Sequence, residues 1–204
     1  MIAKSITQIS IRLVIAWLLV SILFFTCGEW IIHALLPYLT WLTNLIAHNY
    51  SAELNISDSP TGKIFNIVAT ATEDVYRLEI PIAPKGTRIT GNGTLMHALV
   101  PIVILFTILC SWPTTLKRLM AQIVLGAPVT LLILALTTPI LLASHIEQVF
   151  HSAAQNYAGK ELPMPFMMGW AVFMEIGGVW LLPIIGAFLC IKASAFVVPL
   201  NKQK

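Results

Sequence analysis

Tyr50–Thr94, YSAELNISDSPTGKIFNIVATATEDVYRLEIPIAPKGTRITGNGT, is the one long polar stretch in a chain made otherwise of apolar segments. Residues 52–57 alternate apolar and polar side chains, which is the period of a half-buried strand. Strand-like runs follow at 63–70 and 75–82, and residues 58–62 have good turn chemistry. The stretch therefore predicts a small antiparallel meander, the β module, over residues 50–94.

The pairing of these strands determines which apolar side chains share a face. If the runs 63–70 and 75–82 pair, Phe65, Ile67 and Ala69 lie on one face with the apolar residues of the third strand. A three-stranded meander is marginal alone, so we expect the β module to pack on a partner or on another loop. Its predicted partner-binding residues are Phe65, Ile67, Tyr76, Leu78 and Ile80.

Composition indicates an integral membrane protein. Hydrophobic residues make up 57% of the chain and charged residues 10%, whereas a soluble domain has about a quarter charged residues. The net charge of +3 comes from thinly spread lysines and arginines, so nucleic acid is not an expected partner. Cys27, Cys110 and Cys190 lie in apolar segments at unrelated spacings, and they indicate neither a disulfide framework nor a zinc site.

The apolar segments predict a membrane α-helical fold: a four-transmembrane-helix bundle with a short interfacial helix and a small extracytoplasmic antiparallel β module. Residues 1–36 hold the first transmembrane helix, which Pro37 is expected to end. Aromatic residues favour an interfacial helix over 37–49. After the β module, whose residues 91–94 are expected to be a flexible lead, residues 95–204 hold transmembrane helices 95–112, 119–143 and 167–191, an outer loop 144–166 and a cytoplasmic tail.

The basic residues indicate the orientation. With the N-terminus inside, the short cytoplasmic segments have a higher density of lysine and arginine than the outer loops, and they contain no aspartate or glutamate. The positive-inside rule then favours cytoplasmic N and C termini. We expect a multi-pass protein of a bacterial inner (plasma) membrane, with the β module in the periplasm.

Carboxylates and imidazoles gather at the predicted outer side. Glu29 and Glu175 lie inside spans, where an ionisable group usually faces the bundle interior and has a partner. The histidines all map to the outer side, and imidazole with carboxylate suits Zn, Cu or Fe. The candidate metal or proton site consists of Glu29, His33, His97, His145 and Glu175.

The outer loop offers a further pair for this site. Glu147 and His151 are four residues apart and would add ligands if the loop is helical. The alternative is that all these groups cap span ends, lie among lipid headgroups and hydrogen-bond one another. No HExxH or comparable motif is present in the sequence.

Gly177 and Gly178 follow Glu175 in the fourth predicted span and let another helix approach closely. Gly169 and Gly186 extend the small residues along this span. The pattern predicts packing within the bundle or against a partner, so Gly177 and Gly178 join the candidate partner-binding residues. The alternative is the ordinary frequency of glycine in membrane helices.

The segment MMGWAVFMEIGGVWLLPIIGAFLCI, residues 167–191 with Pro183 late in the span, and the basic turn after Trp112-Pro113 carry a resemblance. Together with the order of one span, a β-rich segment and three spans, they resemble the small membrane proteins associated with exosortases, in particular the exosortase H-associated type. The resemblance implies an accessory role beside a membrane sorting or processing enzyme, and it carries over no catalytic residues.

These observations favour a non-catalytic accessory or assembly subunit of a bacterial inner-membrane complex. It would bind a membrane protein partner through the β module and the transmembrane bundle, and no cofactor is expected. The alternative is a metal- or haem-binding subunit of a membrane enzyme that uses the outer glutamate and histidine cluster. A small transporter is disfavoured, because four spans without repeat symmetry offer little pathway.

Overall fold

The structure is a computed structural model that describes residues 2–47, 49–60, 62–77 and 79–197. Its helices are α1 Ile2–Ile46, α2 Leu95–Ser111, α3 Leu116–Ala158, α4 Phe166–Phe173 and α5 Val179–Val197. Its strands are β1 Tyr50–Ser59, β2 Gly62–Ala71, β3 Val75–Arg77, β4 Ile80–Ala83 and β5 Arg88–Thr94.

Three helical segments are long and apolar enough to cross a membrane: Gln8–Ile46, Leu116–Ala158 and Phe166–Val197. The first two have 39 and 43 residues. At 1.5 Å per residue they are about 58 Å and about 65 Å long, against a hydrocarbon core of about 30 Å. Both therefore exceed the thickness of the apolar layer. Large exposed side chains on α1, such as Phe25 at 87% and Trp30 at 78%, are typical of a lipid-facing surface.

Helix α1 continues through Pro37, so the predicted helix end there and the separate interfacial helix over 37–49 are wrong. Proline removes one helical hydrogen bond and crowds the preceding turn. Packing beyond the proline offsets this cost, because Leu39 and Thr43 are both fully buried. The hydroxyl of Thr43 also donates to the Leu39 carbonyl at 2.8 Å.

Helix α3 includes residues 144–158, so the predicted helix end at residue 143 is wrong and most of the predicted outer loop 144–166 is helical. The helix continues because this segment has a stripe of apolar side chains on one face, although most of its residues are polar. Ile146, Phe150 and Ala154 follow one another at four-residue spacing, which places them on one helical face. All three are buried, at 0%, 3% and 0% exposed.

The sheet has the order β1-β2-β5, with both pairs antiparallel, and β3 and β4 form a separate hairpin. The pairing of the first two strands is as predicted. The predicted third strand over 75–82 is wrong, because it folds back on itself with Glu79 at φ 68°, in the left-handed region. Strand β5 pairs with β2 instead, so residues 91–94 are strand rather than a flexible lead.

The chain forms two compact units. The first comprises Met1–Glu29, Leu99–Ile133 and Gly178–Lys204. The second comprises Trp30–Ala98 and Leu134–Gly177, and it contains the sheet. The core of the first unit includes Leu105 and Leu109 of α2, Ile133 of α3, and Ala187 and Cys190 of α5.

Gly186 lies in that core, where α5 packs closely on α3. A Cβ at this position would lie 2.7 Å from Cγ1 of Val129 and 3.4 Å from Cδ1 of Ile133. Real Cβ contacts are longer than the first distance, so a glycine is needed here. The predicted close helix packing along this span is confirmed at Gly186.

We expect Gly186→Ala to lower the free energy of unfolding by about 1–3 kcal/mol, because the added methyl overpacks against the stiff side chain of Val129. Titration of the detergent-solubilised protein with SDS, followed by circular dichroism, measures the change. The matched control is Gly169→Ala in α4, where an added Cβ meets nothing within 4 Å among the described residues. Equal stability of the two variants would contradict this packing.

Candidate functional site

A cavity of about 240 Å³ lies in the second unit, at the point where β5 is followed by α2. Its wall is contributed by β2, β5, α2, α3 and the segment between α4 and α5. The apolar part of the wall includes Phe65 and Leu142. The polar residues that line it are Asn92, Thr94, His97, Thr138, His145 and Glu175.

The buried face of the sheet forms one side of this region. Leu54, Phe65 and Ile67 lie on that face, at 6%, 1% and 0% exposed. In the register of β2 and β5, Gly93 pairs with Phe65 and Gly91 pairs with Ile67. Each large side chain of β2 therefore has a glycine opposite it on the neighbouring strand.

The two glycines allow α3 to lie close to β5. A Cβ at Gly91 would lie 3.5 Å from the Cβ of His145, and one at Gly93 would lie 3.3 Å from Cδ2 of Leu142. This contact brings His145 to the cavity. His97 lies in the first turn of α2, close to the end of β5, because β5 ends at Thr94 and α2 begins at the next residue.

Glu175 belongs to a break in the last apolar segment. Residues Met174–Gly178 form a kink between two helices, in which Gly177 has the non-helical angles φ 171° and ψ −7°. The helix predicted over 167–191 is therefore two helices, α4 and α5.

Trp170 fixes α4 to α3 within the second unit. Its Nε1 donates to the carbonyl oxygen of Leu136 at 2.7 Å. Leu136 lies three residues before Pro139, which lacks an N–H group and disturbs the hydrogen bonds of that turn. Neighbouring helices commonly satisfy backbone groups near a proline in a membrane helix. The bond therefore joins α4 to the part of α3 that carries Thr138.

The structure brings three of the predicted metal ligands to one cavity: His97, His145 and Glu175. The other two, Glu29 and His33, lie four residues apart on α1, and each already interacts with another group. Within the described part of the chain, no group of three or more His, Cys, Asp or Glu side chains could hold a metal ion. The five-residue metal site therefore stays a prediction.

Glu147 and His151 lie on α3, so the condition set by the sequence, that their segment is helical, is met. They are 9% and 7% exposed. Glu147 lines a second cavity of about 290 Å³ in the same unit, together with Tyr50 and Phe166, and it already interacts with another group. This pair is thus part of the packed interior of the unit.

The predicted partner-binding residues differ in their accessibility. Phe65 and Ile67 are buried inside the unit, which removes them from any partner surface. Tyr76 lies on β3 and is 57% exposed. Ile80 is the first residue of β4, and Leu78 lies outside the described residues. Gly177 and Gly178 are the other two predicted positions, and Gly177 has open space where a Cβ would stand, among the described residues.

Sequence reasoning missed Thr138, Asn92 and Thr94 as lining residues. The signal for Thr138 is its position four residues after Leu134 and four before Leu142, both of which are buried. In chemical terms the cavity offers one carboxylate, two imidazoles, two hydroxyls and an amide. No protein-family model, curated protein or solved structure matches this chain.

We expect Gly91→Val to destabilise the second unit by about 1–3 kcal/mol, because its Cβ alone would lie 3.0 Å from Cγ2 of Ile67 and its methyls would push against α3. Thermal unfolding in detergent measures the loss. Thr90→Val introduces the same residue at the adjacent, exposed position and should change stability by no more than about 0.5 kcal/mol. If both variants unfold like the parent protein, α3 does not lie on β5.

Proposed function

We propose that the protein is a non-catalytic accessory or assembly subunit of a bacterial inner-membrane complex. The three long apolar segments support a membrane location. In this proposal α2 is a fourth span, since its 17 residues give about 26 Å, near the lower limit for crossing. Four passes leave both termini on one side, and the density of basic residues favours the cytoplasm. The β module is then periplasmic.

One edge of β1, with which no strand of the described residues pairs, supports the proposal of a partner. Asn44 of α1 accepts a hydrogen bond from the N–H of Ala52 at 2.7 Å and donates to its carbonyl at 2.9 Å. The polar groups of Ala52 therefore face away from β2. Along an antiparallel strand, every second residue points its N–H and C=O groups to the same side. The N–H and C=O groups of Leu54 and Ile56 therefore face away from β2 as well.

Leu54 and Ile56 thus present an edge with which no strand of the described chain pairs. Such an edge is a template for an added strand, and strand addition is a common mode of protein recognition. We infer that a partner protein contributes an extended segment alongside β1. This role agrees with the accessory function that the resemblance to exosortase H-associated proteins implies.

Ile56→Pro tests this role, because proline removes the outward N–H of β1 and leaves the bonds to β2 in place. We expect the tagged variant to insert normally and to recover no partner from native membranes, whereas Ile56→Val, which keeps the N–H, recovers it. Deletion of residues 51–91 should give the same loss as Ile56→Pro. If Ile56→Pro recovers as much partner as the parent protein, β1 is not the docking edge.

The second candidate is a metal- or haem-binding subunit, and the observation that favours it is the shared cavity of His97, His145 and Glu175. Metal analysis and an absorption spectrum of the purified protein distinguish the two. On the accessory function we expect no stoichiometric metal and no haem absorption. A stoichiometric metal that is lost in His97→Ala or His33→Ala would instead establish the second candidate.

A further inference from the structure

The cavity between β5, α2 and α3 has an uneven charge. Glu175 is its one carboxylate, and no lysine or arginine is among the described residues that line it. Glu175 is exposed, and its carboxylate attracts a nearby cation. The electrostatic complement of this cavity is therefore a ligand with a single positive charge.

The remaining polar groups can act as hydrogen-bond acceptors. The imidazole ring of a histidine has one acceptor nitrogen in its neutral form, and His97 and His145 each bring such a ring to the cavity. Asn92 and Thr94 add oxygen atoms. An ammonium group is purely a donor and has three N–H bonds to give. One carboxylate and several neutral acceptors therefore complement the positive charge and the three N–H donors of an ammonium group.

Thr138 provides an independent observation. It lines the cavity, is 5% exposed, and its Oγ1 has no hydrogen-bond partner within the described chain. Thr43 and Thr130 show the usual alternative, since each donates to the carbonyl four residues earlier at 2.8 Å. Thr107 also lacks a partner there, but it lines neither cavity. A buried hydroxyl without a partner destabilises the fold, and a hydrogen bond to a ligand atom would relieve this cost.

The size and lining of the cavity restrict the cation. A cavity of about 240 Å³ accommodates a small group. Quaternary ammonium groups are bound by cages of several aromatic rings. Phe65 is the one aromatic residue of the described lining, which favours a primary ammonium.

We propose that this cavity binds a primary ammonium group, carried either by the ethanolamine headgroup of a phospholipid or by a small soluble amine. Glu175 holds the charge, and the imidazoles and Thr138 accept its N–H bonds. The cavity lies where the sheet is followed by the apolar helix α2, the level at which lipid headgroups meet a membrane protein. The inference does not depend on the proposed partner of β1.

Native mass spectrometry of the full chain tests the proposal with phosphatidylethanolamine and phosphatidylcholine of identical acyl chains. We expect the ethanolamine lipid to be retained about tenfold more strongly, and Glu175→Gln to remove this preference. The control is Glu53→Gln, which removes an exposed carboxylate of β1 outside the cavity. This variant should keep the preference for the ethanolamine lipid. Equal retention of the two lipids, or an unchanged preference in Glu175→Gln, would overturn the proposal.

Two further measurements identify the source of the amine and separate binding from folding. Displacement of the lipid by soluble ethanolamine, and not by choline, supports a free amine as ligand, and retention of the lipid against both supports the headgroup. Thr138→Val should weaken the ethanolamine preference severalfold while the unfolding temperature stays equal or rises, because the hydroxyl has no protein partner to lose. Unchanged binding in Thr138→Val would remove that residue from the site.

Discussion

The apolar face of a three-stranded sheet has to be covered, and the second unit is built around the way α3 covers it. A sheet of this size is marginal alone, so Phe65 and Ile67 need an apolar neighbour. If α3 ended with its apolar segment near residue 143, it would provide little beyond Leu142. The helix instead continues to Ala158, and Gly91 and Gly93 remove the side chains that would hold it away from β5. The length of α3 and the two glycines of β5 both serve to cover the apolar face of the sheet.

The same contact explains why polar side chains collect in one place. Strand β5 is followed directly by α2, so His97 stays beside the strand that His145 of α3 lies against. Glu175 joins them because the helix that carries it is interrupted there. The cavity is thus a consequence of covering a sheet with helix ends.

The parts of the fold that local pattern determines were predictable from sequence, and the parts that distant packing determines were not. Alternation and a turn predicted the β1–β2 hairpin. Strand β5 was missed because its glycines disfavour a strand locally, and their benefit depends on α3, about 50 residues later. The helical form of residues 144–158 was missed because polar residues hide a buried stripe. The continuity of α1 through Pro37 was missed because the burial of Leu39 and Thr43 comes from tertiary contacts. The ionisable side chains of His97, His145 and Glu175 made them candidate site residues from the sequence alone. Thr138 has no such chemical signal, and only the packing of α3 places it in the cavity.

Asn44 shows what the free edge of β1 requires. Its amide supplies Ala52 with one acceptor and one donor, as a residue of a neighbouring strand would. Leu54 and Ile56 need the same pair of groups from water or from another chain. A strand added there would be separated from β5 by β1 and β2, at about 4.8 Å per strand step. It would therefore lie at the edge opposite the one that lines the cavity, so the two surfaces can be occupied at once.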